Sequence, residues 1–137
     1  MERFGARIAE QLRPGDAVAL SGTLGTGKTT LARAIIAALG HQGEVPSPTF
    51  TIIETYDPPS VRLPLVHADF YRLKHPDEAQ EIGLDDYRQG AVMIAEWPEM
   101  AGGFAHEPGC LSIALDTAEM GRIAIVEPGA DWLGRLG

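Results

Sequence analysis

Phe4, Ile8 and Leu12 recur at every fourth position, so the first dozen residues predict a helix with one apolar face. Arg13-Pro14-Gly15-Asp16 ends it, because proline cannot continue a helix and glycine permits the turn. Ala17 to Leu20 is a short unbroken apolar run, which predicts a buried strand, and Ser21 opens a glycine-rich loop. Leu31, Ala34, Ile35, Ala38 and Leu39 then follow the spacing of an amphipathic helix, stopped by Gly40.

Beyond a loop that ends at Pro46-Ser47-Pro48, residues Thr49 to Tyr56 are rich in β-branched and aromatic side chains and predict a strand. Asp57-Pro58-Pro59-Ser60 turns the chain, and Leu63 to Ala68 reads as the return strand of a hairpin. Residues 77–89 are acidic and read as mostly helical or irregular. Ala91 to Ala95 forms another buried strand, and Leu111 to Leu115 with Arg122 to Val126 reads as a closing antiparallel pair. No internal repeat and no low-complexity tract interrupts this order. Strand, helix, then further strands with a buried parallel pair imply an α/β sandwich, with the strand order left open.

Composition narrows the function classes. At 137 residues the chain is expected to form one domain over 1–137, and 45% hydrophobic with 22% charged residues is ordinary globular usage. Nineteen acids against eleven bases give a net charge of −8, which disfavours a chain-wide electrostatic grip on nucleic acid. The charge is uneven: residues 1–40 carry a net +2 and the remainder a net −10, so an anion-handling front half is compatible with an acidic remainder. A single cysteine, Cys110, excludes an internal disulfide framework, and His41, His67, His75 and His106 lack metal-ligand spacing. With no run of eighteen apolar residues and no signal-peptide opening at Met1-Glu2-Arg3, the expectation is a soluble, cytoplasmic protein with no membrane role.

The loop reads Gly22-Thr23-Leu24-Gly25-Thr26-Gly27-Lys28-Thr29-Thr30 and satisfies Gly-x-x-x-x-Gly-Lys-Ser/Thr. Its glycines let successive N–H groups turn inward around phosphate oxygens. Lys28 brings an ammonium to the β- and γ-phosphates, Thr29 offers a hydroxyl to Mg²⁺, and the following helix aims its positive end at the same anion. Chance from this composition gives roughly 0.002 matches over the chain, and the motif also follows an apolar strand and opens an amphipathic helix. The fold expectation sharpens accordingly to a P-loop NTPase-like three-layer sandwich with a mixed central sheet.

A phosphate loop needs a carboxylate at a neighbouring strand end to hold the metal's hydration shell. Glu96 follows Ala91 to Ala95, and Asp69 follows Leu65 to Ala68, so two acids compete for that place. Thr49, just after Ser47-Pro48, lies where P-loop proteins place a γ-phosphate-responsive segment, with an ordinary strand entry as the equal alternative. Trp97 is most simply core packing, of interest only through its place beside Glu96. Tyr71-Arg72 could supply a hydroxyl and a cation near the phosphates, although a surface pair is the default.

Five segments together resemble the TsaE family of small P-loop ATPases of bacterial tRNA threonylcarbamoyladenosine synthesis. They are Ser21 to Thr30, Ser47-Pro48-Thr49-Phe50, His67-Ala68-Asp69-Phe70-Tyr71-Arg72-Leu73, Ile82 to Tyr87, and Glu96-Trp97-Pro98. The resemblance implies an ATP- and Mg²⁺-binding ATPase, weak alone, that works with TsaB and TsaD and meets tRNA only through that assembly. It further implies that Gly25, Thr26, Gly27, Lys28, Thr29 and Thr30 hold phosphates, that Thr29 and Glu96 hold Mg²⁺, and that Lys28 and Asp69 carry hydrolysis. By the same resemblance Thr49 belongs to a switch-like loop, Trp97 is a sensitive neighbour of the metal site, and Arg122 lies near the nucleotide. The family usually carries Asp or Glu where this chain has Thr23.

The competing use of the same loop is a small-molecule or nucleoside kinase, which needs an acceptor pocket and an arginine-bearing lid. No segment of this chain reads as that lid. A nucleotide-controlled binding module without turnover is a third reading. A GTPase switch ranks last, since the guanine-reading Asn-Lys-x-Asp motif is missing.

Overall fold

The computed structural model describes residues 2–23, 27–48, 51–118 and 121–136; for residues 117, 118 and 121–123 it describes the backbone only. Helix α1 (Glu2–Gln11) precedes strand β1 (Ala17–Ser21) and helix α2 (Lys28–Ala38). Strands β2 (Ile53–Tyr56) and β3 (Leu65–Asp69) form a hairpin, and the short helices α3 (Glu78–Glu81) and α4 (Leu84–Arg88) lead to β4 (Val92–Glu96). A 3₁₀ turn at Pro98–Ala101 and the strands β5 (Cys110–Ala118) and β6 (Gly121–Pro128) complete the order.

The strands form one mixed six-stranded sheet in the order β2-β3-β4-β1-β5-β6. The inner four run parallel, and the outer β2 and β6 are antiparallel to their neighbours. This arrangement matches the expected α/β class. Side-chain alternation divides the core in two, as a period of two requires. Val18 and Leu20, Val92 and Ile94, and Leu111 and Ile113 pack beneath α1 and α2 with Ile8, Leu31 and Ile35. Ala17, Ala19, Met93 and Ala95 face the opposite side, where Phe70, Ala79, Leu84 and Phe104 cover them. A buried leucine or isoleucine stabilises by roughly 1.5–3 kcal/mol, so these inward rows tie both helical layers to the sheet.

The helix layer over β1 is tight. A methyl group at Gly5 would lie 2.7 Å from the Cβ of Ala34, closer than packed carbons approach, so α1 and α2 require glycine at their crossing. At the other end of β1 the chain is closed electrostatically. The Asp16 carboxylate accepts the Arg13 N–H at 2.8 Å and pairs with Arg135 at 2.6 Å. The Arg135 guanidinium also stacks 3.9 Å over Trp132, which fastens the chain after β6 to the α1–β1 turn.

Several boundaries differ from the sequence reading. The strand expected from Thr49 begins only at Ile53: Thr49 and Phe50 lie outside the described residues, Thr51 is in a turn, and Ile52 holds φ 69° while donating its N–H to the Pro48 carbonyl at 2.7 Å. A β-branched residue raises strand propensity but does not prevent a loop hydrogen bond from setting the backbone. The return strand starts at Leu65 rather than Leu63, because Pro64 has no N–H for a ladder. Asp69 and Glu96 are the last residues of their strands, the strand-end acids that the sequence pattern suggests.

Candidate functional site

Parallel strands deliver their C-terminal ends to one edge of the sheet, where the connecting loops form a crevice. In this chain β1, β4 and β3 do so in register: Leu20 is aligned with Glu96, and Glu96 with Asp69. Backbone bonds fix that edge. The Phe70 N–H donates to the Glu96 carbonyl at 3.0 Å, and the Trp97 N–H donates to the Leu20 carbonyl at 3.2 Å. The glycine-rich loop leaves β1 at the same edge and enters α2 through Gly27, which holds φ 101°, a conformation that L side chains avoid.

Lys28 and Thr29 are therefore the first two residues of an eleven-residue helix that points its N-terminus at the loop. The Lys28 ammonium donates to the Gly22 carbonyl at 2.7 Å and the Thr23 carbonyl at 2.8 Å. Lys28 is only 5% exposed. Burial pushes its pKa below the ordinary 10.5, against the opposing pull of the nearby Glu96, Glu99 and Asp69 carboxylates. The Thr29 hydroxyl donates to Glu96 Oε1 at 2.6 Å. The other oxygen, Oε2, lies 2.7 Å from Nε2 of the fully buried His67.

Asp69 is buried beside this group on β3, and its Oδ1 accepts the Tyr71 N–H at 3.0 Å. The Tyr71 ring packs 4.9 Å from that of Trp97, and the Lys28 ammonium sits 4.4 Å from the Trp97 ring centroid. Trp97 is thus half-buried against the site and is not among the core side chains, which corrects the packing role read from the sequence. Thr30 follows on α2 and is exposed.

The structure brings Gly27, Lys28, Thr29, Asp69, Glu96 and Trp97 to one end of the sheet. Gly25, Thr26 and Thr49 lie outside the described residues. Arg122 is on β6, opposite Thr117, and only its backbone is described. Among the described residues no three His, Cys, Asp or Glu side chains converge as a metal cage. Nor is any described helix long and apolar enough to cross a membrane.

Known proteins are similar to this chain in sequence and architecture. Residues 1–124 match the family model described as threonylcarbamoyl adenosine biosynthesis protein TsaE. The chain belongs to the TsaE family.

A TsaE relative from Streptomyces coelicolor is 45% identical over 100 residues, covering 72% of this chain and 68% of that protein. Another, from Haemophilus influenzae, is 38% identical over 117 residues, covering 81% and 73%. Both are named tRNA threonylcarbamoyladenosine biosynthesis protein TsaE. The crystal structure of Bacillus YdiB superposes with a TM-score of 0.74 at 29% identity, covering 98% of this chain and 83% of that one. Every side chain at the candidate site falls inside the TsaE match, whereas Trp132 and Arg135 lie beyond it. Within the TsaE segment that begins at His67, sequence pattern alone gives His67 itself no role. Its position two residues before Asp69, on the same strand face, was the available signal.

Proposed function

We propose that this TsaE-family chain, acting as one P-loop domain, binds ATP with Mg²⁺ at the loop between β1 and α2 and hydrolyses it in support of tRNA threonylcarbamoyladenosine formation. The observation that carries the reading is the meeting of three strand ends and one helix start: Lys28 and Thr29 open α2, Thr29 bonds Glu96, and Asp69 stands next to Glu96 in register. In that arrangement Lys28 takes the β- and γ-phosphates, and Gly25 to Thr30 surround them with N–H groups. Thr29 and Glu96 supply hard oxygen donors, the type Mg²⁺ prefers, and their 2.6 Å contact suits a hydroxyl ligand steadied by a carboxylate. Thr29 and Glu96 would hold the ion from the protein side, and phosphate and water would supply its other oxygen donors.

Mg²⁺, when bound, neutralises charge on the transferred phosphoryl group. The chain's own contributions are orientation and charge. Lys28, set beside the Glu96, Glu99 and Asp69 carboxylates, steadies phosphate oxygens, and Asp69 accepts a proton from, or orients, the attacking water. Arg122, Thr49 and Trp97 border the nucleotide in this reading. TsaB and TsaD are the partners, tRNA is reached through them, and the compartment is the cytoplasm.

Phosphate release from ATP and Mg²⁺ by the chain alone, and then with TsaB and TsaD added, tests the reading. Slow turnover alone and strong stimulation by the partners is the expected result. Absence of ATP binding under either condition overturns it.

A further inference from the structure

Glu96 is a buried carboxylate, 2% exposed, and a buried charge needs its hydrogen-bonding capacity met. Thr29 from α2 meets one oxygen. His67 meets the other, from the neighbouring strand, where it is aligned with Ile94 and so points to the same face as Glu96. A carboxylate only accepts, so Nε2–H is the donor. The imidazole is 0% exposed and its Nδ1 finds no hydrogen-bond partner among the described residues. A side chain kept there for packing alone would be apolar, since an orphaned polar atom in a core is destabilising. Glutamate also reaches its carboxylate through one more rotatable bond than aspartate, so a contact on each oxygen is what fixes its plane.

We infer that His67 is a positioning residue that holds the Glu96 carboxylate against the Thr29 hydroxyl, and thereby sets how strongly the site takes Mg²⁺ together with nucleotide. The inference rests on the ATP and Mg²⁺ reading above. Its physical content is the same as for other groups behind a metal's direct ligands: loss of the outer partner releases the inner one, at a cost of roughly 10–100-fold in metal affinity. His67 itself touches neither nucleotide nor metal in this account.

The test is binding of a fluorescent ATP analogue to the full chain, titrated with Mg²⁺ and repeated in EDTA, for the wild type, His67→Leu, His67→Gln and His67→Asn. Gln places an amide N–H near the position of Nε2, whereas Asn falls short of it. The expected result is a Mg²⁺ requirement raised ~10-fold or more in the Leu and Asn variants, near-complete rescue in Gln, and unchanged affinity in EDTA. If Leu does not fold, the Gln and Asn pair, with melting curves recorded alongside, carries the comparison. A wild-type Mg²⁺ requirement in a folded Asn or Leu variant overturns the inference, as does equal loss of affinity with Mg²⁺ and in EDTA. A wild type that binds no nucleotide under either condition instead sinks the ATPase reading.

Discussion

The ring of Trp97 lies beneath the Lys28 ammonium, 4.4 Å from Nζ to centroid, and the chain holds Trp97 there in a left-handed conformation with φ 56° and ψ 51°. Such a conformation costs a non-glycine residue about 1–2 kcal/mol. The surroundings over-determine it: the Trp97 N–H is tied to Leu20, Pro98 follows, and Tyr71 packs on the indole. Strain held at the same end of the sheet as Lys28 and Glu96 points to a demand on the ring's position rather than on the fold.

Substitution at Trp97 separates those two demands. Trp97→Gly relieves the backbone while Trp97→Ala keeps the strain, and both remove the ring. The Gly variant is expected to be more stable than the Ala variant by ~1 kcal/mol, with the two equally weakened in ATP binding. Urea denaturation beside nucleotide titration checks this, and a less stable Gly variant would show that the left-handed turn is not strained.

Lys28 shows the opposite balance between stability and use. Burial disfavours its charge in the folded chain, so Lys28→Met is expected to leave the chain as stable or up to ~1 kcal/mol more stable at neutral pH. A lysine with a lowered folded pKa binds fewer protons folded than unfolded at high pH, so its penalty fades as pH rises toward 10.5. The gap between variant and wild type should therefore close in that direction, while ATP binding is lost throughout. Melting curves from pH 7 to 10 follow the gap, and a clear loss of stability in Lys28→Met at pH 7 would contradict the assignment.

What the sequence made legible follows from which forces act locally. Apolar runs located β1 and β4, and the glycine-rich motif placed Lys28 and Thr29 at a helix start, because both signals lie in contiguous residues. Glu96 and Asp69 are legible as strand-end acids, but residue pattern alone leaves them competing and only the TsaE resemblance gives them separate roles, since their relation depends on β3 and β4 being neighbours in register. His67 was invisible as a partner of Glu96 for the same reason: a 2.7 Å contact across 29 residues leaves no periodicity. For Trp97, size and apolarity alone suggest core and only the TsaE resemblance marks it as a neighbour of the site, because its orientation is set by a backbone turn that propensity does not encode.

Asp69 offers the sharpest separation of binding from turnover. Its Oδ1 already accepts the Tyr71 N–H, a bond that an asparagine carbonyl oxygen reproduces. Asp69→Asn is thus expected to keep the fold and ATP affinity while lowering phosphate release, measured with TsaB and TsaD added, by ~10²-fold or more. Single-turnover measurement with TsaB and TsaD present distinguishes the steps. Wild-type release by Asp69→Asn would remove Asp69 from the chemistry.

Away from the site, Arg88 and Glu107 form a two-pronged pair at 2.9 and 2.5 Å that holds the loop after the 3₁₀ turn, with the guanidinium also 5.4 Å from the Phe104 ring centroid. The Arg88 hydrogen bonds hold the Glu107 carboxyl below its ordinary 4.5, overcoming the opposing effect of burial. A carboxyl lowered in this way contributes its full stabilisation above the unfolded pKa and loses it as pH falls through the folded value. Glu107→Gln is therefore expected to cost ~1 kcal/mol at pH 7, and the difference from wild type should shrink once the pH drops below 4.5. Urea denaturation at pH 7, 5 and 3 provides the comparison. A difference that stayed constant down to pH 3 would mean that the pair stabilises through shape and packing against Phe104 rather than through the ionised carboxylate.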